Sequence, residues 1–217
     1  MLAFRQKRTA MKRLFIFYIT LSSLLLYSFT GYKLAEAPPV STKWVVLNGG
    51  SLRVKGSTNV NTFACEITGY SRPDTINVYR KIAGREGIPL KGRLGLDVKL
   101  FDCHHAMMTA DLRKTLKAKE YPQLKISFVS LAKLPSLNTQ ESKIKGIVDI
   151  ELAGRAKRFD INYTFKLDNQ GNIRLLGEQD VNFSDFDLKP PRKLGGMIQT
   201  DNKLSVEFQL TMKILRN

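Results

Sequence analysis

The fold is decided by residues 109–128, which read TADLRKTLKAKEYPQLKISF. Apolar residues recur at every fourth position from Met108 to Leu116, and this spacing predicts a short helix over about residues 109–119. Pro122 ends the helix, because proline has no amide hydrogen to donate and forces the preceding residue toward an extended conformation. Apolar and polar residues alternate immediately afterwards, so the helix leads directly into a strand.

The start of this helix also has recognisable signals. Thr109 is the expected N-cap, and Asp111 falls in the expected first turn, where the helix dipole favours a carboxylate. One bounded helix in a chain of strands predicts a lid or plug on a β-structure rather than an α/β repeat.

The remaining chain alternates with the period of strands. About eight to ten strands are separated mostly by short turns, which predicts an all-β domain with a single antiparallel barrel or sandwich. Alternation does not distinguish a filled interior from a ligand cavity, because both need apolar residues pointing inward. The side chains assigned to the inward face are Phe128, Phe159, Ile161, Tyr163, Phe165, Leu204, Val206, Phe208, Leu210 and Met212.

Residues 1–37 have the pattern of an export segment. A basic start is followed by an uncharged, mostly apolar run of 19 residues that ends at Tyr32. The segment is either cleaved or retained as an N-terminal membrane anchor, since the run is near the lower limit for a membrane span. Residues 38–43 are then a linker and residues 44–217 the barrel domain, located in the periplasm or secreted.

The exported part is strongly basic. Residues 38–217 contain 29 Lys and Arg and 18 Asp and Glu, a net charge of +11. Anionic partners, including an anionic membrane surface, are therefore possible, and a simply solvated basic surface is the alternative. No nucleic-acid partner is expected, because the densest basic groups are not interleaved with aromatic residues.

The chain has two cysteines, Cys65 and Cys103. An even number of cysteines in an oxidising compartment favours a disulfide between them. The alternative is two buried free thiols on separate strands.

Candidate catalytic and metal sites are weak. His104 and His105 are adjacent, and neighbours in a strand point to opposite faces. Asp180, Asp185 and Asp187 are more typical of tight turns than of a catalytic pair or a calcium site. The sequence therefore predicts no enzyme, no metal and no cofactor.

Three motifs occur in the order of a known family. They are Tyr121-Pro122-x-Leu124-x-Ile126-x-Phe128, Leu152-x-Gly154 followed by Lys157 and Phe159, and Val181-Asn182-Phe183-Ser184-Asp185-Phe186. The chain resembles the YceI-like family of exported, lipocalin-like barrels. The resemblance implies an antiparallel eight-stranded barrel with a helix near its mouth, which binds a polyisoprenoid or another long amphiphilic lipid in an apolar cavity and has no catalytic residues.

Two functions follow from these observations. In the first, the inward side chains line a lipid cavity, and Leu112, Leu116 and Tyr121 cap its mouth. In the alternative, the barrel is packed and ligand-free, and its basic surface contacts an anionic polymer or a protein at the envelope.

Overall fold

The computed structural model describes residues 40–81, 84, 86–137 and 141–216, which belong to the unit that follows Ala37. The expected export segment lies outside the described residues. The strands are β1 (Val40–Val46), β2 (Gly50–Ser57), β3 (Thr62–Tyr70), β4 (Thr75–Tyr79), β5 (Ile88–Asp97), β6 (Gln123–Leu131), β7 (Ser142–Leu152), β8 (Arg155–Leu167), β9 (Ile173–Asn182), β10 (Arg192–Lys193), β11 (Ile198–Gln199) and β12 (Lys203–Arg216). Helix α1 (Ala106–Thr115) connects β5 to β6.

Eight antiparallel strands close into a barrel in the order β1, β4, β5, β6, β7, β8, β9 and β12. The barrel closes because β1 pairs with β4 on one side and with β12 on the other. The hairpin of β2 and β3 pairs with the first half of β12, where Val54 lies opposite Val206. The barrel with one short helix confirms the predicted fold class.

The alternation of β8 and β12 places their apolar residues inside the barrel. Nine of the ten side chains assigned to the inward face are buried, and Val206 is half-buried. Polar residues between them point to solvent, as expected for an antiparallel sheet with one wet face.

Strand β1 begins at Val40, so residues 40–43 of the predicted linker (38–43) belong to the barrel instead. Its first residues have little apolar alternation, but they pair on both sides. Thr42 lies opposite Val78 of β4 and opposite Arg216 of β12. Backbone pairing with two partners therefore sets this boundary.

Helix α1 begins three residues earlier than predicted, and the expected N-cap at Thr109 is wrong. His105 is the N-cap, while Thr109 lies inside the helix and its hydroxyl accepts a hydrogen bond from the Cys103 amide at 3.0 Å. The helix ends at Thr115, and Lys117 has a left-handed φ of 53°. The last predicted turn, residues 116–119, is therefore a turn region rather than helix.

The connections at the two ends of the barrel differ in size. We define the mouth as the end with α1, which carries the connections at residues 58–61, 98–122, 153–154 and 183–202. These include the two longest connections, at residues 98–122 and 183–202, and the opposite end carries the connections between β6 and β7 and between β8 and β9. Within the described ranges, no helix has both the length and the hydrophobicity needed to cross a membrane.

Candidate functional site

Helix α1 covers an apolar cavity at the mouth end of the barrel interior. Leu112 and Leu116 are buried and point into this cavity, whose volume is about 70 Å³. Leu204 and Val206, two of the predicted lining residues, form part of its wall. The complete wall is apolar and consists of Leu52, Val54, Phe101, Leu112, Leu116, Leu124, Ile126, Ile150, Leu152, Val181, Phe186, Leu204 and Val206.

A larger groove opens to solvent on the other side of α1. Its volume is about 380 Å³, and its walls come from α1, the start of β3 and the connection between β9 and β12. Leu112 belongs to both this groove and the inner cavity. The residues that line the groove are Thr58, Phe63, Cys65, His105, Met107, Met108, Asp111, Leu112, Phe183, Pro191, Lys193, Leu194, Ile198 and Thr200.

The chain that enters α1 is fixed to the barrel wall. Cys65 of β3 and Cys103 form a disulfide. Beside it, the backbones of Glu66 and Asp102 exchange hydrogen bonds of 2.8 and 2.9 Å. Among the described strands β3 pairs only with β2, so these bonds attach the segment before α1 to an otherwise free strand edge. The disulfide prediction is confirmed.

Tyr121 occupies a different place from the other two cap residues. Its side chain is 40% exposed, and it lies outside the walls of the cavity and the groove. A Cβ on Gly154 would lie 2.6 Å from its ring, so the ring rests on the turn between β7 and β8. Gly154 has a φ of +79°, a conformation that glycine adopts without strain.

Five aromatic rings fill the barrel interior farther from the mouth. Trp44 and Phe165 have ring centroids 5.8 Å apart, and Tyr163 lies 5.8 Å from Phe165. Phe128 and Phe208 complete the cluster, at 6.5 and 6.0 Å from Tyr163. These separations are typical of favourable aromatic pairs. The structure thus brings four predicted lining residues together with Trp44, which was not predicted.

Two glycines make room for these rings. A Cβ on Gly177 would lie 2.3 Å from the Phe208 ring, and one on Gly146 would lie 2.4 Å from the Tyr163 ring. The void beside Phe208 and Leu210 has a volume of only about 10 Å³. This half of the barrel is filled by its own side chains.

The other predicted lining residues are distributed along the barrel. Phe159 pairs with Phe186 at 5.9 Å, at the mouth end of the interior. Ile161 and Met212 are fully buried and belong to the general core.

One polar group is buried within the aromatic cluster. The Tyr163 hydroxyl has no hydrogen-bond partner among the described residues. Burial raises its pKa well above the ordinary value for tyrosine, so the hydroxyl stays protonated. An unpaired buried hydroxyl destabilises the folded state, because it loses its hydrogen bonds to water.

The three aspartates considered as a catalytic pair or calcium site each have their own cationic partner. Asp185 accepts from Lys157 at 2.6 Å, and Asp187 and Asp180 pair with Arg155 and Lys203. Partial burial raises the pKa of Asp185, but hydrogen bonds from Lys157 and the Asn182 amide outweigh it and hold the pKa below its ordinary value. No group of three His, Cys, Asp or Glu able to hold a metal occurs in the described part of the chain.

The two histidines lie in different surroundings. The Nε2 atom of His104 is 3.1 Å from Glu66, which also binds Arg53 at 3.0 Å. The Arg53 hydrogen bond is the main cause that lowers the pKa of Glu66. His105 lines the mouth groove.

Most of the groove residues were missed in the sequence. Phe63, Met107, Leu194 and Ile198 come from segments without strand or helix periodicity, so no pattern assigned them to a site. The available signal was the number of apolar residues in the irregular connection at residues 183–202.

Comparison with known proteins identifies the fold. The sequence matches no family model and no curated protein. Two solved structures are similar in fold. Burkholderia cenocepacia BcnA has a TM-score of 0.52 and 14% identity, over 76% of this chain and 96% of that protein. A polyisoprenoid binding domain from Saccharophagus degradans, implicated in plant cell wall breakdown, has a TM-score of 0.55 and 9% identity, over 80% of this chain and 98% of that domain.

The barrel shares the fold of these two proteins. The Campylobacter jejuni YCEI protein is also similar, with 15% identity over 57% of this chain and 72% of that protein. Its TM-score is 0.41. At these identities the likeness shows the fold alone.

Proposed function

We propose that this barrel binds a long-chain amphiphilic lipid, such as a polyisoprenoid, and carries out no catalysis. The tail lies in the mouth groove and reaches the cavity beneath α1. The observation that carries this proposal is the pair of apolar spaces that share Leu112. The volume of the groove, about 380 Å³, lies within the ~300–1,000 Å³ typical of small-molecule sites.

The chemistry of the walls supports a hydrocarbon tail. Each methylene moved from water into such a groove contributes about 0.8 kcal/mol, without any polar partner. The fold shared with a polyisoprenoid binding domain supports the same class of ligand. The polar residues of the groove include His105 and Lys193, and Lys193 is paired with Asp111. In this proposal the head group lies beside these residues.

Passage between the two spaces requires movement of Leu112. The disulfide and the backbone bonds at Asp102 hold the start of α1, so displacement of the whole helix is disfavoured. Rotation of the Leu112 side chain is the smaller change. In this proposal Leu112 is the gate, and the disulfide keeps α1 in place while a tail enters.

We propose that the protein works outside the cytoplasm, in the periplasm or after secretion. The sequence of residues 1–37 supports export, and a disulfide is typical of oxidising compartments. The N-terminal residue of the exported protein, determined by intact mass spectrometry, distinguishes cleavage from a retained anchor.

Native mass spectrometry tests lipid binding. The protein isolated from its producing cells is analysed directly, and then titrated with prenyl alcohols of increasing length. We expect a one-to-one complex whose affinity rises roughly tenfold for two added methylenes until the site is full. A folded protein that carries no lipid and binds no prenyl alcohol would contradict the proposal.

The filled aromatic half of the barrel favours a second candidate. A void of only about 10 Å³ beside Phe208 agrees with a packed, ligand-free module that acts through its basic surface on an anionic polymer or protein. In that case the titration gives no complex, and an anionic polymer binds with an affinity that falls as salt is added.

A further inference from the structure

Exposed apolar side chains are concentrated at the mouth. Seven of the nine large hydrophobic residues exposed in the described ranges belong to its connections, and the other two, Leu134 and Leu215, lie at the opposite end. Four of the seven are between 63% and 70% exposed and form what we call the apolar rim: Val60, Met107, Leu194 and Met197.

The apolar rim surrounds the opening of the groove. Met107 of α1 and Leu194 after β10 line the groove itself. Val60 follows Asn59, whose side-chain amide donates a hydrogen bond to the Met197 carbonyl at 2.8 Å, so the connections that carry Val60 and Met197 are in contact. Three separate segments thus place apolar side chains around one opening.

The charges next to the rim favour an anionic surface. Lys189 and Arg192 are exposed and have no acidic partner among the described residues. Two acidic groups at the mouth are engaged, Asp111 with Lys193 and Asp201 with the Ser57 hydroxyl.

We infer that the apolar rim docks on an anionic phospholipid bilayer, so that a lipid passes from the bilayer into the groove without crossing water. The inference rests on the proposed lipid-binding function and adds the membrane as partner. Apolar side chains with cations beside them bind an anionic interface by burial and by electrostatic attraction together.

A tryptophan reporter tests the inference in the full chain, whether or not residues 1–37 anchor it. Met197→Trp places the reporter on the rim, and Leu134→Trp is the matched control at the opposite end. The natural protein has a single tryptophan, Trp44, which is buried and supplies the background signal. The chain is reconstituted into phosphatidylglycerol vesicles that contain lipids brominated in their acyl chains.

We expect quenching of Met197→Trp and none of Leu134→Trp. The docked fraction should fall in phosphatidylcholine vesicles, and the docking equilibrium should weaken about fivefold for each of Lys189→Gln and Arg192→Gln. Quenching of Leu134→Trp alone, equal quenching of both reporters, or no quenching overturns the inference. A concentration-dependent change of Met197→Trp emission without vesicles would instead assign the rim to a second copy of the chain.

Native mass spectrometry of the same samples separates this inference from the proposed function. Bound lipid without quenching leaves lipid binding intact and rejects docking. Quenching without any bound lipid supports docking and rejects the lipid-binding proposal.

Discussion

Gly177→Ala tests whether the aromatic half of the barrel is filled. The new Cβ would lie 2.3 Å from Cε1 of Phe208, about 1.2–1.7 Å closer than an ordinary carbon contact. The Phe208 ring is confined by Phe128 at 6.4 Å and Tyr163 at 6.0 Å, so it cannot rotate away without moving them. Overpacking of this kind destabilises by about 1–3 kcal/mol.

The removal of glycine partly offsets this loss of stability. Alanine restricts the unfolded chain and returns about 0.4–1 kcal/mol, so the net loss should be about 1–2 kcal/mol. Urea unfolding followed by circular dichroism measures it, and the midpoint should fall by roughly 0.5–1 M.

Two further variants complete the test. Gly95→Ala is the control, because its nearest neighbour would be an ordinary 3.5 Å away, and it should leave stability unchanged or slightly higher. Phe208→Leu in the Gly177→Ala background should recover part of the loss by removing the overlap. A Gly177→Ala protein as stable as wild type would refute the reasoning, because the ring would then have free space and the barrel would be hollow there.

Three other predictions concern stability. Tyr163→Phe should stabilise the protein by about 1 kcal/mol, because it removes an unpaired buried hydroxyl. Tyr70→Phe loses a hydrogen bond to Asp74 and should destabilise the protein by a similar amount. Urea unfolding midpoints of the two variants that move in the same direction would contradict this prediction. Replacing Cys65 and Cys103 by alanine should lower the free energy of unfolding by about 4 kcal/mol in the chain-entropy model, since the disulfide spans 38 residues. A loss below about 1 kcal/mol would show that the disulfide contributes little to the stability of the fold. The pKa of Asp185 is lower in the folded than in the unfolded protein, so the stabilisation from its carboxylate is present above the unfolded pKa and is lost as pH falls through the folded pKa. Asp185→Asn should therefore lose less stability than wild type as the pH falls below about 4. An unchanged dependence of the unfolding free energy on pH in this range would contradict the prediction.

The barrel and its inward faces were predictable because they depend on local alternation. In β8 every second residue from Phe159 is apolar, and a strand with one wet face needs no other information to orient it. The disulfide was predictable from the number of cysteines and the expected compartment. The start of β1 was not, because pairing with β4 and β12 extends it beyond its own apolar residues.

The candidate site was predictable only in part. Leu112 and Leu116 follow the helix period, and both are buried and line the inner cavity. The groove depends on how the connection at residues 183–202 folds against α1, a contact between segments about 80 residues apart. The packing of the aromatic half depends on Gly146 and Gly177, whose role appears only when the facing strands are known.

The helix boundary shows the same limit. Thr109 has the residue type of an N-cap, but its hydroxyl accepts from the Cys103 amide inside the fold. The disulfide at Cys103 and the pairing of Asp102 with β3 set where the helix begins. Long-range bonds therefore determined the detail that local sequence signals misplaced.

The most direct test of lipid binding beneath α1 is the affinity of one long-chain prenyl alcohol for Leu112 variants, measured by native mass spectrometry with thermal unfolding as a check on folding. Leu112→Ala joins the groove to the inner cavity and should bind at least as tightly as wild type and accept longer chains. Leu112→Trp blocks the passage and should weaken binding roughly tenfold, the value of about two methylenes left in water. The exposed control Leu134→Trp should bind as wild type does. Equal affinity of all four folded proteins would contradict the account.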